Sequence, residues 1–271
     1  MYQKIKDIQK RYDGFLQTNN LWKNNDVFEL YQFKIHNKFS KIDILIDEKL
    51  RLGKYIERFV SFELSQNKSI EILAENIQIQ RNKITLGELD CLLLKDKSPV
   101  HLEIIYKFYL FDDKIGNTEI EHFIGPNRKD ALIEKLSKLK DKQLPILHTK
   151  ECKNLLNNFK IELKDISQQI YFKAQLFLPI YKTNINLKLL NKNCITGFYC
   201  NLKDLHRFNN CKFFIPIKKD WIIIPHKNVD WLQFSDFKKE VTPILERQFS
   251  PLCWLKKENG EIEKFFLVWW T

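Results

Sequence analysis

The chain has 271 residues, 44% apolar and 29% charged, with 45 Lys and Arg against 34 Asp and Glu for a net charge of +11. These values exclude a disordered chain, and no apolar run approaches the ~20 residues that span a bilayer. The basic excess permits a polyanionic partner such as nucleic acid but does not identify one, because Lys, Asn and Ile are abundant everywhere.

The opening stretch MYQKIKDIQKRYDGF lacks an apolar signal core, so a cytoplasmic chain without membrane attachment is expected, beginning with a short helix. Val27 to Ile46 alternates apolar and polar residues and suggests an accessory hairpin. From Leu50 the pattern sharpens. Leu52, Tyr55, Ile56, Phe59 and Val60 recur at helical spacing, and Asn67-Lys68-Ser69 ends that helix. Three strands follow: IEILAENIQIQ, then ITLGELDCLLLK, then the very apolar VHLEIIYKFYLF. GPNRKDALIEKLSKLKDKQ carries Leu132, Ile133, Leu136 and Leu139 on one helical face, residues 149–160 give a weaker helix, and 170–179 another strand. The last third reads as β-rich, with CITGFYC, CKFFIPI and DWIIIP as short strands. Asn259-Gly260 is the turn signal of a closing hairpin. The organisation expected is 1–49, an N-terminal helix and hairpin; 50–180, a mixed α/β core; and 181–271, a β-rich part packed on it.

Chemistry concentrates on the second and third strands. Alternate residues of a strand share a face, so Glu88 and Asp90 point the same way, as do Glu103 and Lys107, with His101 beside them. Carboxylates in a greasy sheet need partners or a cation. A hard divalent ion would take one or two of them and keep waters for a phosphate substrate. The other interpretation is that these are strand-end charges facing solvent. Six cysteines in a chain without an export signal suggest reduced thiols. Cys194, Cys200, His206 and Cys211 form a cluster to weigh for zinc, though no CxxC knuckle is present. Gly125 to Arg128 open the next helix, where Arg128 and Lys129 could meet a phosphate or serve an ordinary cap. Trp269 and Trp270 could stack bases, although one of two strand neighbours normally faces inward. Walker loops, HExxH and GxSxG are absent, which counts against NTPases, zincins and α/β-hydrolases.

The order helix, strand, Asp strand, Glu and Lys strand, helix, strand resembles the PD-(D/E)xK nuclease superfamily over residues 50–180. Gly87-Glu88-Leu89-Asp90 is similar to its GE[IL]D form. The resemblance implies a restriction-endonuclease-like core (αβββαβ) in an α/β (α+β) chain. It also implies Mg²⁺ or Mn²⁺ held by Asp90 and Glu103, a catalytic Lys107, and a completing Glu57 from LGKYIERF, with Glu63 as fallback and Glu88 in support. The superfamily places its Lys two residues after the Glu, where this chain has Ile105. LGKYIERF, TLGELDCLLL, HLEIIYKFYL and GPNRKDALIEKL also resemble an uncharacterised bacterial family, domain of unknown function 1853, which itself carries Glu with Lys four residues on. A nuclease acting on nucleic acid is therefore expected, with a non-catalytic binding protein on the same fold as the alternative.

Overall fold

The computed structural model describes residues 8–23, 27–35, 40–182 and 184–270. Helix α1 (Ile8–Gln17) buries Tyr12, Phe15 and Leu16. The stretch expected as a hairpin has, among its described residues, only isolated bridges: Val27 with Leu30, and Gln32 alongside Ile170. Residues 36–39 of that stretch lie outside the described residues. Instead of pairing with itself, the segment docks on a later strand, with Phe33 N–H donating to Ile170 O (2.9 Å) and the Gln32 carboxamide bonding the Phe172 backbone in both directions (3.2 Å each).

Helix α2 (Leu52–Ser65) buries the apolar stripe read in the sequence, with Tyr55, Ile56, Phe59, Val60 and Leu64 inward. The antiparallel strands β1 (Ile70–Arg81), β2 (Ile84–Lys95) and β3 (Ser98–Phe111) follow. Asp96 and Lys97 both take positive φ between the paired Lys95 and Ser98, the backbone a two-residue hairpin loop of matching twist requires. Strand β4 (Phe123–Ile124) pairs with the end of β3. The next helical stretch is shorter than the sequence suggested. Helix α3 covers Leu132–Lys138, loosens into a π turn over Leu139–Gln143, and tightens into a 3₁₀ turn, Leu144–His148, at Pro145. Gly125 to Arg128 therefore form a turn and do not open the helix.

Thr149 caps helix α4 (Lys150–Asn158) by accepting the Cys152 N–H (3.3 Å), and strand β5 (Ser167–Pro179) follows. Beyond it lie β6 (Ile195–Asn201), β7 (Lys212–Phe214), helix α5 (Phe234–Glu246), β8 (Leu252–Lys256) and β9 (Ile262–Val268). Two expectations fail here. DWIIIP forms no strand, its first half closing a 3₁₀ turn, Lys218–Ile222, and a helix lies in the third read as β-rich. Phe237, Val241, Ile244 and Leu245 of α5 have helical spacing, but Pro243 inside the run masks it. The expected hairpin is present, with Gly260 at φ +85°.

The fold is mixed α/β and its contacts fall into two units, each discontinuous in sequence, whereas the sequence reading drew three consecutive segments. Unit I comprises Asn20–Tyr106 and Glu134–Lys173. Its strand order is β1-β2-β3-β5, with α2 and α4 packed on β1. Ile79, Leu89, Leu92, Leu147, Cys152 and Leu156 form a core cluster there. Unit II comprises Met1–Asn19, Lys107–Ile133 and Ala174–Thr271. Its order is β3-β5-β6-β9-β8-β7, parallel from β5 through β6 to β9 and antiparallel from β9 to β7. Phe213 stacks on Phe237 with ring centroids 4.2 Å apart, fastening α5 to the sheet. Trp269 packs against this core.

Candidate metal centre

The β2–β3 ladder runs from the Lys95–Ser98 pair to the Cys91–Leu102 pair and stops there. The next residue of β2 is Asp90, and its side chain replaces the ladder: Oδ2 accepts the Ile104 backbone N–H at 2.9 Å. β2 is paired with β1 on either side of Asp90, at Cys91 and at Leu89 and Glu88, with no register shift between them, so Glu88 and Asp90 remain on one face. Helix α2 brings Glu57 to them. One carboxylate oxygen each from Glu57, Glu88 and Asp90 lies within 4.8 Å of the others. All of these residues belong to unit I.

A lysine that the sequence reading overlooked sits among them. Lys54, one turn before Glu57, donates to Glu57 Oε2 (2.9 Å), to Asn76 Oδ1 (2.7 Å) and to Glu88 Oε1. Asn76 occupies the left-handed region at φ +54°, which Asn tolerates better than most side chains. The signal for Lys54 was present in LGKYIERF, because residues three apart on a helix share a face.

Burial dominates the electrostatics. Asp90 is pushed up to about 7, first by burial, then by the negative charges of Glu103 and Glu57, while the Ile104 N–H and Lys54 oppose the rise. Burial also raises Glu57, against the hydrogen bond and charge of Lys54. For Lys54 burial acts downward, but its bonds and charges with Glu88 and Glu57 outweigh it and raise the ammonium. A proton on Asp90 near neutrality is one a cation would displace.

Glu103 stands in a different environment. Its carboxylate is fully buried and accepts from His101 Nε2 (3.2 Å) and Gln143 Nε2 (2.7 Å). Gln143 Oε1 in turn accepts from Lys135 (2.8 Å). Gln168 Nε2 donates to both Leu144 O (2.8 Å) and His101 Nδ1 (3.0 Å), which fixes the proton of a neutral His101 on Nε2. Every member of this network has a partner, as buried polar groups require. Glu103 therefore reaches Asp90 through its charge and lies outside the group of close carboxylates, where the sequence reading had paired the two as ligands. Gln143 and Gln168 carried no sequence signal, since both are distant from Glu103 along the chain.

The other expected residues separate. Glu63, the fallback, is buried against the Tyr171 hydroxyl (2.9 and 3.1 Å) and raised to about 6 by burial; Glu57 takes the helix position. Lys107 belongs to unit II, where its ammonium is bonded to Asp130 at 2.7 Å. Ile105, the superfamily's Lys position, is a buried core residue. Lys129 is exposed, and Arg128 pairs with Asp112 at 3.2 Å. Among the described residues, all six cysteines are free thiols, and Cys194, Cys200, His206 and Cys211 do not converge as a metal group.

The comparisons with known proteins add one relative and one family. The chain is 26% identical over 220 residues to a protein named DNA mismatch repair protein MutL from Clostridium botulinum (strain Kyoto / Type A2). The match covers 75% of this chain and 31% of that protein, so the chain spans about a third of that relative's length. No solved structure matches the chain. The profile of a family described as "Domain of unknown function (DUF1853)" matches residues 27–268, and the chain belongs to that family.

Proposed function

We propose that Glu57, Glu88 and Asp90 hold a divalent cation, Mg²⁺ or Mn²⁺, and that the chain is a metal-dependent phosphodiesterase acting on nucleic acid, on a PD-(D/E)xK nuclease-like core. The observation that carries this reading is the convergence of three carboxylates, one of them Asp90, whose proton is held near neutrality by burial. Oxygen donors of this kind suit a hard cation. Such an ion, when bound, supplies charge neutralisation at phosphorus and a more acidic bound water. The chain's own residues supply the rest. Glu103, fixed by His101 and Gln143, holds a negative charge beside Asp90 and so favours a cation there. Lys54 bridges Glu57, Glu88 and Asn76, and keeps the carboxylates oriented before any cation arrives. All three N–H donors of Lys54 are thereby engaged, so its role in this reading is to balance and orient the carboxylates.

The nucleic-acid substrate is supported by the net charge of +11 and, weakly, by the likeness to a protein named for DNA mismatch repair. A second reading, a non-catalytic nucleic-acid or protein-binding chain on the same fold, is favoured by Lys107, whose ammonium is already engaged by Asp130. Among the described residues no helix is long and apolar enough to cross a membrane.

The test is thermal unfolding of wild type and Asp90→Ala with and without Mn²⁺, followed by cleavage assays on single- and double-stranded DNA and RNA. A cation that binds the native state raises the midpoint by mass action. Stabilisation of wild type but not of the variant, with metal-dependent cleavage, supports the nuclease. Stabilisation without cleavage supports the second reading. No response to Mn²⁺ removes the basis of the first.

A further inference from the structure

Unit II contains a cavity of about 520 Å³ that no step above uses. It lies where the mutually parallel strands β5, β6 and β9 end, at Pro179, Asn201 and Val268, and is closed by Asp112 to Ile115, which follow β3. Loops diverging from the carboxyl ends of parallel strands leave such a crevice, and this volume falls in the range of small-ligand sites.

Its wall is built for a flat ring. The Arg128 guanidinium lies 4.7 Å over the Trp270 ring, and the Tyr199 ring is 5.5 Å from Trp270. The turn carrying Arg128 is fastened there. Pro126 O accepts both Trp270 Nε1 (2.9 Å) and Ser250 Oγ (2.8 Å), and Asn127 Oδ1 accepts the Ser250 N–H (2.7 Å). Arg128 itself is held at φ +55°, an unfavourable backbone conformation for Arg that these bonds maintain. Tyr181 is 65% exposed at the rim, with Arg207 over its ring at 4.8 Å.

The wall carries three carboxylates, Asp112, Asp113 and Asp204, and three cations, Lys114, Arg128 and Lys182. Each lining carboxylate already has a donor within the chain: Asp112 has Arg128, Asp113 has Lys182 at 2.6 Å, and Asp204 has the Tyr181 hydroxyl. Donors remain available for an anion, because Arg128 uses one terminal nitrogen on Asp112 and the Lys114 ammonium makes no ion pair among the described residues. A planar ring carrying an anionic group fits both features. We infer that this cavity is a binding site for a nucleoside 5′-monophosphate unit, free or at the end of a single strand, with the base against Tyr181, Tyr199 or the Arg128–Trp270 stack and the phosphate on the Arg128, Lys114 and Lys182 side. The site lies wholly within unit II and does not rest on the metal reading.

The test uses the full chain in EDTA, so that failure of the metal centre cannot imitate failure of this site. AMP, adenosine and inorganic phosphate are titrated separately, with tryptophan fluorescence and isothermal calorimetry as readouts. AMP is expected to bind at least tenfold more tightly than either fragment, and Arg128→Ala and Tyr181→Ala are each expected to weaken AMP at least tenfold. Tyr181 is exposed, so its variant should keep the wild-type circular dichroism and melting midpoint, which separates lost binding from lost folding. Tighter binding of oligo(dA) than of AMP in competition identifies a nucleic-acid strand as the source; weaker binding identifies the free nucleotide. The inference is overturned if AMP does not bind at millimolar concentration, if phosphate binds as tightly as AMP, or if neither substitution changes the AMP affinity.

Discussion

Asp90 in unit I and Lys264 in unit II are one acid and one base displaced by burial in opposite directions to the same place. Asp90 rises to about 7 and Lys264 falls to about 7. Their surroundings differ. Asp90 stands among further carboxylates, which add to the rise, whereas Lys264 donates, among the described residues, to the neutral acceptors Gln175 Oε1 (3.0 Å) and Trp221 O (2.7 Å). Unit II also contains the opposite solution, Arg11 bonded to Asp220 at 2.6 Å with both side chains buried. An unmatched buried charge can neutralise itself, whereas a matched pair has its counter-charge within hydrogen-bond reach; the excess of carboxylates in unit I is what the proposed cation would offset.

Breaking the matched pair gives the largest effect. Asp220→Ala leaves Arg11 charged and buried, and about 3–5 kcal/mol of stability should disappear in urea unfolding. Lys264→Met removes a charge that was never matched and should cost far less; a loss as large as that of Asp220→Ala would refute the contrast. The two displaced groups should next appear as opposite pH slopes. Between its unfolded value near 3.8 and about 7, Asp90 binds more proton folded than unfolded, so its contribution falls as pH rises through that window. Glu63 acts in the same direction between 4.5 and about 6. Lys264, depressed from 10.5 to about 7, binds less proton folded, so its contribution rises between pH 7 and 10.5. Each slope should amount to a few kcal/mol across its window. Asp90→Asn should shrink the acidic one, leaving the Glu63 part between 4.5 and about 6, and Lys264→Met should flatten the alkaline one; a single substitution that alters both would show that the groups are not independent.

Glu103→Ala sharpens the comparison from within unit I. It leaves the His101 and Gln143 donors unmatched at a cost of about 1–3 kcal/mol for each unsatisfied group. It should also bring Asp90 down towards its ordinary value, since the Glu103 charge is one cause of its rise, and the acidic slope would shrink accordingly. Under the metal proposal, Mn²⁺ should raise the melting midpoint more at pH 8 than at pH 5.5, because the ion competes with the Asp90 proton. Equal shifts at both values would place the ion elsewhere. The smallest effect belongs to Lys107→Ala. Its pair with Asp130 is more than a third exposed on both sides, so stability should change by about 0–1 kcal/mol. That variant therefore isolates catalysis: unchanged cleavage would remove Lys107 from the nuclease mechanism.

The sequence made the helix and three strands of residues 50–111 legible because their periodicities are long and their turns carry the expected residues. It also made Glu88 and Asp90 legible as sharing a strand face, while Glu57 came only from the superfamily resemblance, with Glu63 as fallback, and the ligand expected beside Asp90 was Glu103. Lys54 was readable at its spacing from Glu57. The failures are also instructive. α5 was hidden by Pro243, and DWIIIP looked like a strand because a continuous apolar run shows burial without showing period. The Val27–Ile46 alternation was read as a hairpin, yet Gln32 and Phe33 pair with distant Ile170 and Phe172.

What the sequence by itself determined is local: element type, hairpin loops, the shared face of Glu88 and Asp90, and the basic balance of the chain. Only the tertiary structure decided which charges meet. The ladder between β2 and β3 stops at Asp90, so the Asp90 carboxylate turns to Ile104. Gln143, forty residues after Glu103, takes the Glu103 carboxylate, and Asp130 takes Lys107. These pairings depend on which buried polar groups come within reach of one another when the chain closes. Spacing along a strand cannot specify that, because a buried charge is satisfied by whichever partner the packing brings to it.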